Sequence, residues 1–101
     1  MQIPLGSLTP IPFLMIDSTD HITGKTGLAP TVTVSKNGSV FGASAGTVAA
    51  IGNGWYKLTP TSADTNTVGS LLLHATATGA DPCDILHEVV YPPVNPIGSA
   101  Y

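Results

Sequence analysis

No stretch of this chain runs far enough between helix breakers to sustain a helix. Eleven Gly and nine Pro punctuate its 101 residues, and nowhere do apolar residues recur at helical spacing among good helix formers. Between the breakers lie short runs rich in β-branched and aromatic residues, which is the pattern of strands. Seven such runs stand out: 11–17 (IPFLMID), 31–35 (TVTVS), 39–43, 47–51 (TVAAI), 55–59, 71–78 (LLLHATAT) and 85–91 (ILHEVVY). Turn signals fall between them. Asn37-Gly38 suits a two-residue hairpin turn with positive φ, and Gly52-Asn53-Gly54 and residues 79–82 (GADP) close others.

The alternation within each run predicts faces. Val32 and Val34 point one way and the flanking hydroxyl residues the other. Leu71, Leu73, Ala75 and Ala77 form the expected core face of their strand, opposed by Leu72, His74, Thr76 and Thr78. Residues 85–91 carry apolar side chains on both faces, so one side is expected to meet a partner or a second sheet. Trp55 and Tyr56 point to opposite faces, so one ring enters the core and the other looks outward. The prediction is an all-β fold, an antiparallel immunoglobulin-like β-sandwich of about seven short strands with extended N- and C-terminal arms. It divides the chain into an arm over 1–10, a sandwich over 11–91 and a Pro-rich tail over 92–101.

Both ends are apolar and Pro-bearing where a solvated tail would be polar and charged. They are expected to dock on a neighbouring subunit, with local folding onto the same domain as the alternative. Ile3, Leu5 and Leu8 in the first arm, Tyr56 on the sandwich, and Val94, Ile97 and Tyr101 in the tail make up the predicted protein interface.

Charge narrows the range of partners. Three Lys, no Arg and six acids give a net charge of −3, with no basic cluster for nucleic acid or an anionic membrane. No apolar run approaches the roughly 18 residues of a membrane-spanning helix, and the start MQIPLG lacks the basic and apolar regions of a signal peptide. The chain therefore reads as made in a cytoplasm, with neither nucleic acid nor membrane as partner.

The residues that could carry chemistry are few. Cys83 is the sole Cys, so no intrachain disulfide can form. Cys83, Asp84, His87 and Glu88 cluster in sequence, but on a strand His87 and Glu88 face opposite ways and cannot share an ion easily. His87 reads as an exposed or interface residue. Asp17-Ser18-Thr19-Asp20-His21 invites a triad, yet it has no strained nucleophile turn and reads better as carboxylates and hydroxyls bonding local backbone N–H groups. Asp64 is expected to do the same in its loop. The Gly-rich run 41–46 lacks the Lys and helix of a phosphate cradle. The expectation is a non-enzymatic protein with no cofactor and no metal site.

Four stretches taken in order, IDSTDHITGKTGL (16–28), TVTVSKNGSVF (31–41), GNGWYKLTPTSADTNTVGSLLLHATATGADP (52–82) and DILHEVV (84–90), resemble a small immunoglobulin-like module of tailed-bacteriophage virion proteins. The resemblance implies a structural or adhesive role on a phage particle, in the virion after synthesis in the bacterial host cytoplasm. A short self-contained copy points to a capsid decoration, cement or accessory subunit that bridges neighbours. The implied partners are other virion proteins (major capsid or tail proteins) and further copies of itself in a closed homo-oligomer such as a trimer. The alternative is a tail- or fibre-associated module that binds host-surface carbohydrate or receptor, with an exposed Trp55 or Tyr56 as its platform. The family pattern supplies scaffold positions, and no catalytic or ligand residue carries over.

Overall fold

The computed structural model describes residues 2–91. Eight strands form: β1 (Gln2–Pro4), β2 (Ile11–Leu14), β3 (Thr31–Lys36), β4 (Gly42–Ala43), β5 (Thr47–Gly52), β6 (Trp55–Thr59), β7 (Gly69–Thr76) and β8 (Cys83–Val90). No helix interrupts them among the described residues. They build two sheets, one ordered β1-β8-β7-β3-β4 and the other β2-β6-β5. Every pairing is antiparallel except β1 with β8. That order is the Greek-key arrangement of an immunoglobulin-like sandwich, in which the second, sixth and fifth strands face a sheet built on the third, seventh and eighth.

The local chemistry explains the elements. In the β3–β4 hairpin Asn37 and Gly38 both adopt positive φ, 51° and 81°, and Ser39 N–H donates to Lys36 O at 3.1 Å, as a type I′ turn requires. The ladder beyond it pairs Val34 with Gly42, one residue out of register with a tight two-residue hairpin. The expected return strand over 39–43 therefore shrinks to Gly42–Ala43. The β5–β6 turn uses Asn53 and Gly54 in the same way, at 56° and 89°, with a bulge between Ala50 and Gly52.

Alternation fills the core as predicted. Ile11 and Phe13 from β2, Val32 and Val34 from β3, Tyr56 and Leu58 from β6, Leu71, Leu73 and Ala75 from β7 and Val89 from β8 are all buried. Met15 joins them just past β2. Burying each of the larger side chains contributes up to about 1.5–3 kcal/mol. Phe13 and Tyr56, directly opposite in register, stack with ring centroids 6.0 Å apart.

The N-terminal segment corrects an expectation. Residues 2–4 are not a free arm: β1 pairs in parallel with β8, matching Ile3 to Val89, and Ile3 is only 4% exposed. The following backbone is tied down as well. Leu5 N–H donates to Val90 O and Gly6 N–H to Thr65 O, each at 2.8 Å, and Thr65 Oγ1 donates to Ser7 O at 3.0 Å. An apolar Ile with a free strand edge beside it buries more cheaply on its own domain than by waiting for a neighbour. The predicted tail over 92–101 lies outside the described residues.

Candidate interaction surfaces

Asp17, Asp20, His21 and Asp81 gather at one end of the sandwich. Residues 15–30, the β5–β6 turn and residues 77–82 meet there. Thr19 N–H donates to Asp17 Oδ1 at 2.8 Å; Ile22 and Thr23 N–H donate to Asp20 Oδ1, and Thr23 Oγ1 donates to Asp20 Oδ2. These bonds favour the ionised carboxylates. The Thr23 hydroxyl and backbone N–H hold Asp20 at about 2, and the Thr19 N–H lowers Asp17. His21, at a positive φ of 59°, places Nδ1 2.7 Å from Asp81 Oδ2. That hydrogen bond raises the imidazole above its ordinary 6.5. The acids and His21 thus bind local loops together, as the turn reading of 17–21 predicts.

Backbone packing locks the same end. Gly24 and Gly54 lie so close that a Cβ on Gly54 would sit 2.4 Å from Gly24 Cα. Tyr56 Oη donates to Lys25 O at 2.7 Å and accepts from Leu28 N–H at 3.2 Å. One buried ring thereby holds the long connection between β2 and β3.

Cys83 borders a cleft of about 340 Å³ that His21 and Asp81 also line. The three residue types are those of a thiol hydrolase. However, burial pushes the Cys83 thiol upward, away from the thiolate that nucleophilic attack needs. His21 is engaged by Asp81, and no hydrogen bond joins it to Cys83 among those described. His74 and Asp84, opposite each other on β7 and β8, pair at 2.5 Å on the outer face. Among the described residues, no three of His, Cys, Asp and Glu come together to hold a metal ion. His87 corrects the expectation of exposure: it is 6% exposed, on the core face opposite Leu71.

A groove of about 480 Å³ runs along one side of the sandwich, between β4 and β5. It opens because the larger sheet ends in a two-residue strand and stops short of covering the β5 edge. Leu28, Val32, Val48, Ala50, Tyr56 and Leu58 form its apolar lining, and no charged residue borders it. Asp64, itself buried, fixes one rim: it accepts from Ala45 N–H, Ser44 Oγ and Thr61 N–H at 3.0–3.1 Å. The same loop role was legible in the sequence.

Large apolar side chains stand outside the core around the rest of the surface. Leu8, Ile22, Val40, Phe41, Ile51, Trp55, Leu86 and Tyr91 are all exposed. Phe41, Leu72 and Leu86 border one shallow hollow on the outer face of the larger sheet. Of the predicted interface residues, Leu8 is exposed and Leu5 half-buried against the core. Ile3 and Tyr56 are corrected: both belong to the chain's own core, because β1 pairs with β8 and Tyr56 is the inward ring of its pair. Trp55 is the outward ring, 44% exposed. Val94, Ile97 and Tyr101 lie outside the described residues. Sequence reasoning missed Leu86, Phe41 and the β5 edge. Residues 85–91 did signal two apolar faces, and 47–51 carries neither charge nor Pro, as an unprotected edge does.

No family model, curated protein or solved structure matches this chain.

Proposed function

We propose that this chain is a non-enzymatic structural subunit of a bacteriophage virion, a capsid decoration, cement or accessory protein that bridges neighbouring subunits. The observation that carries the reading is the surface. Among the described residues eight large apolar side chains are exposed, on a chain with only 9% charged residues, a composition suited to packing against protein. The groups that could have served catalysis are engaged elsewhere: Asp17, Asp20 and His21 tie loops together, and Cys83 is held as a thiol. The resemblance over residues 17–90 supplies the particle.

The corrected position of β1 moves the proposed contacts from the first arm to the sheet faces and Leu8. Particles produced without the protein, mixed with the purified chain and sedimented, test this. The chain should co-sediment at a fixed stoichiometry, and Leu86→Asp or Leu8→Asp should reduce binding while leaving the β-sheet circular dichroism unchanged. Failure of the wild-type chain to bind any such particle would contradict the reading.

The half-exposed Trp55 favours one alternative, an adhesion module that binds host-surface carbohydrate or receptor. Purified host glycans would then change Trp55 fluorescence, and Trp55→Ala would abolish their binding. An unchanged spectrum counts for the bridging role.

A further inference from the structure

Each of the two sheets has two edges, and three of the four edges are blunted. β1 is three residues long and contains Pro4, β2 is four residues long and contains Pro12, and β4 has two residues. β5 differs. It is six residues long, Thr-Val-Ala-Ala-Ile-Gly, with no charge and no Pro, and it ends its sheet with β6 as its sole strand partner among the described residues. Its outer backbone groups form a template for another strand. Beside it runs the charge-free apolar groove that the short β4 leaves open. Just past its regular ladder, at the bulge, stands Ile51, 57% exposed.

We infer that β5 is a self-association edge, on which a second copy of this chain adds its own β5 in antiparallel register. A two-fold axis perpendicular to the sheet requires one residue to face itself, because opposite residues in an antiparallel pair share a face. Ala49 fits that position. It lies on the outer face opposite Lys57, and its small side chain lets two backbones approach. With Ala49 on the axis, Val48 of each copy faces Ala50 of the other on the inner side. By register Val48 and Ala50 lie opposite Leu58 and Tyr56 on the inner face, and both border the groove, as does Ala49, so the second copy's pair extends the apolar roof across the open side. Ile51 is carried alongside Thr47 of the other copy. The smaller sheets join as β2-β6-β5-β5-β6-β2, six strands with both edges Pro-bearing.

The absence of charge on β5 decides for a second copy. With Ala49 on the axis, that residue meets its own copy and the other β5 residues meet uncharged neighbours, whereas a charged side chain at the axis would be opposed by its own repeat. The three-fold symmetry expected from the sequence is not what such an edge produces, since an isologous pair closes at two. The inference goes beyond the bridging role and is independent of the particle.

Sedimentation equilibrium of the full purified chain over a wide concentration range should show a reversible monomer–dimer equilibrium. Ala49→Glu and Ala49→Lys place like charges on the axis while leaving an exposed position of the folded monomer unburdened. Each should weaken dimerisation by about tenfold or more, and an equimolar mixture of the two should dimerise again as opposite charges meet. Ile51→Ser should weaken the dimer without affecting the monomer's circular dichroism. A chain that stays monomeric, that forms trimers, or whose dimer is unchanged in both Ala49 variants would overturn the inference. Rescue in the mixture cannot come from misfolding, so the outcome is decisive even if one variant is less stable. Dimerisation is read without particles, so its failure is distinguishable from failure of the bridging role.

Discussion

Tyr56 joins three contributions in one residue: ring burial, stacking on Phe13, and a hydroxyl that satisfies both Lys25 O and Leu28 N–H. Tyr56→Phe retains the first two and leaves a buried acceptor and donor without their partner. It should cost about 1–3 kcal/mol in denaturant unfolding, with amide exchange increasing first over residues 25–28. The His21–Asp81 bond makes a second prediction, whose sign follows from linkage. His21 is raised in the folded state, so its contribution is fully present below the unfolded value of 6.5 and is lost as pH rises through the folded value. NMR titration should place His21 above 6.5 in the native chain and return it to the ordinary value in Asp81→Asn. The melting temperatures of the two proteins should differ more in mild acid than in mild alkali. The carboxylates of Asp17 and Asp20 hold their turn until much lower pH, since Asp20 loses its charge only near 2.

Among the elements, β1 is the least legible in the sequence and among the more consequential in the fold. Gln-Ile-Pro is too short to show alternation, and its parallel partner lies at the opposite end of the chain, so local pattern has nothing to report. The long strands were legible because burial imposes a period of two on them. β6 matches its predicted span, and β7 buries the face that Leu71, Leu73 and Ala75 announce. The His21–Asp81 contact was illegible for the same reason as β1, since it joins residues 60 positions apart. Trp55 and Tyr56 were legible as a pair on opposite faces but not as to which faced in. Leu58, two positions from Tyr56 and directly opposite Ile11, fixes that face as the core. Ile3→Ala tests the element directly. It should destabilise the domain by about 2–5 kcal/mol, and deletion of residues 1–5 should lower the melting temperature further. A truncated chain that melts like the full-length one would mean that β1 does not belong to the sandwich.

At the scale of the whole molecule, a well-filled core coexists with a surface that is sparse in charge and dotted with apolar side chains. The loop end is locked by Gly24 against Gly54, by Tyr56 and by the His21–Asp81 bond, so the sandwich presents its faces as a rigid body. Rigid faces with little to reorganise lose less conformational entropy on docking, which suits a part that is added to an assembled shell. The proposed role as a bridging subunit of a virion is decided by a density map of the purified particle. A bridging subunit should show as copies of the sandwich on the particle surface, each touching more than one neighbouring subunit through exposed residues such as Leu8 and Leu86. Particles that carry no density for the sandwich, or that hold it only at the tip of a tail fibre facing the host, would contradict it.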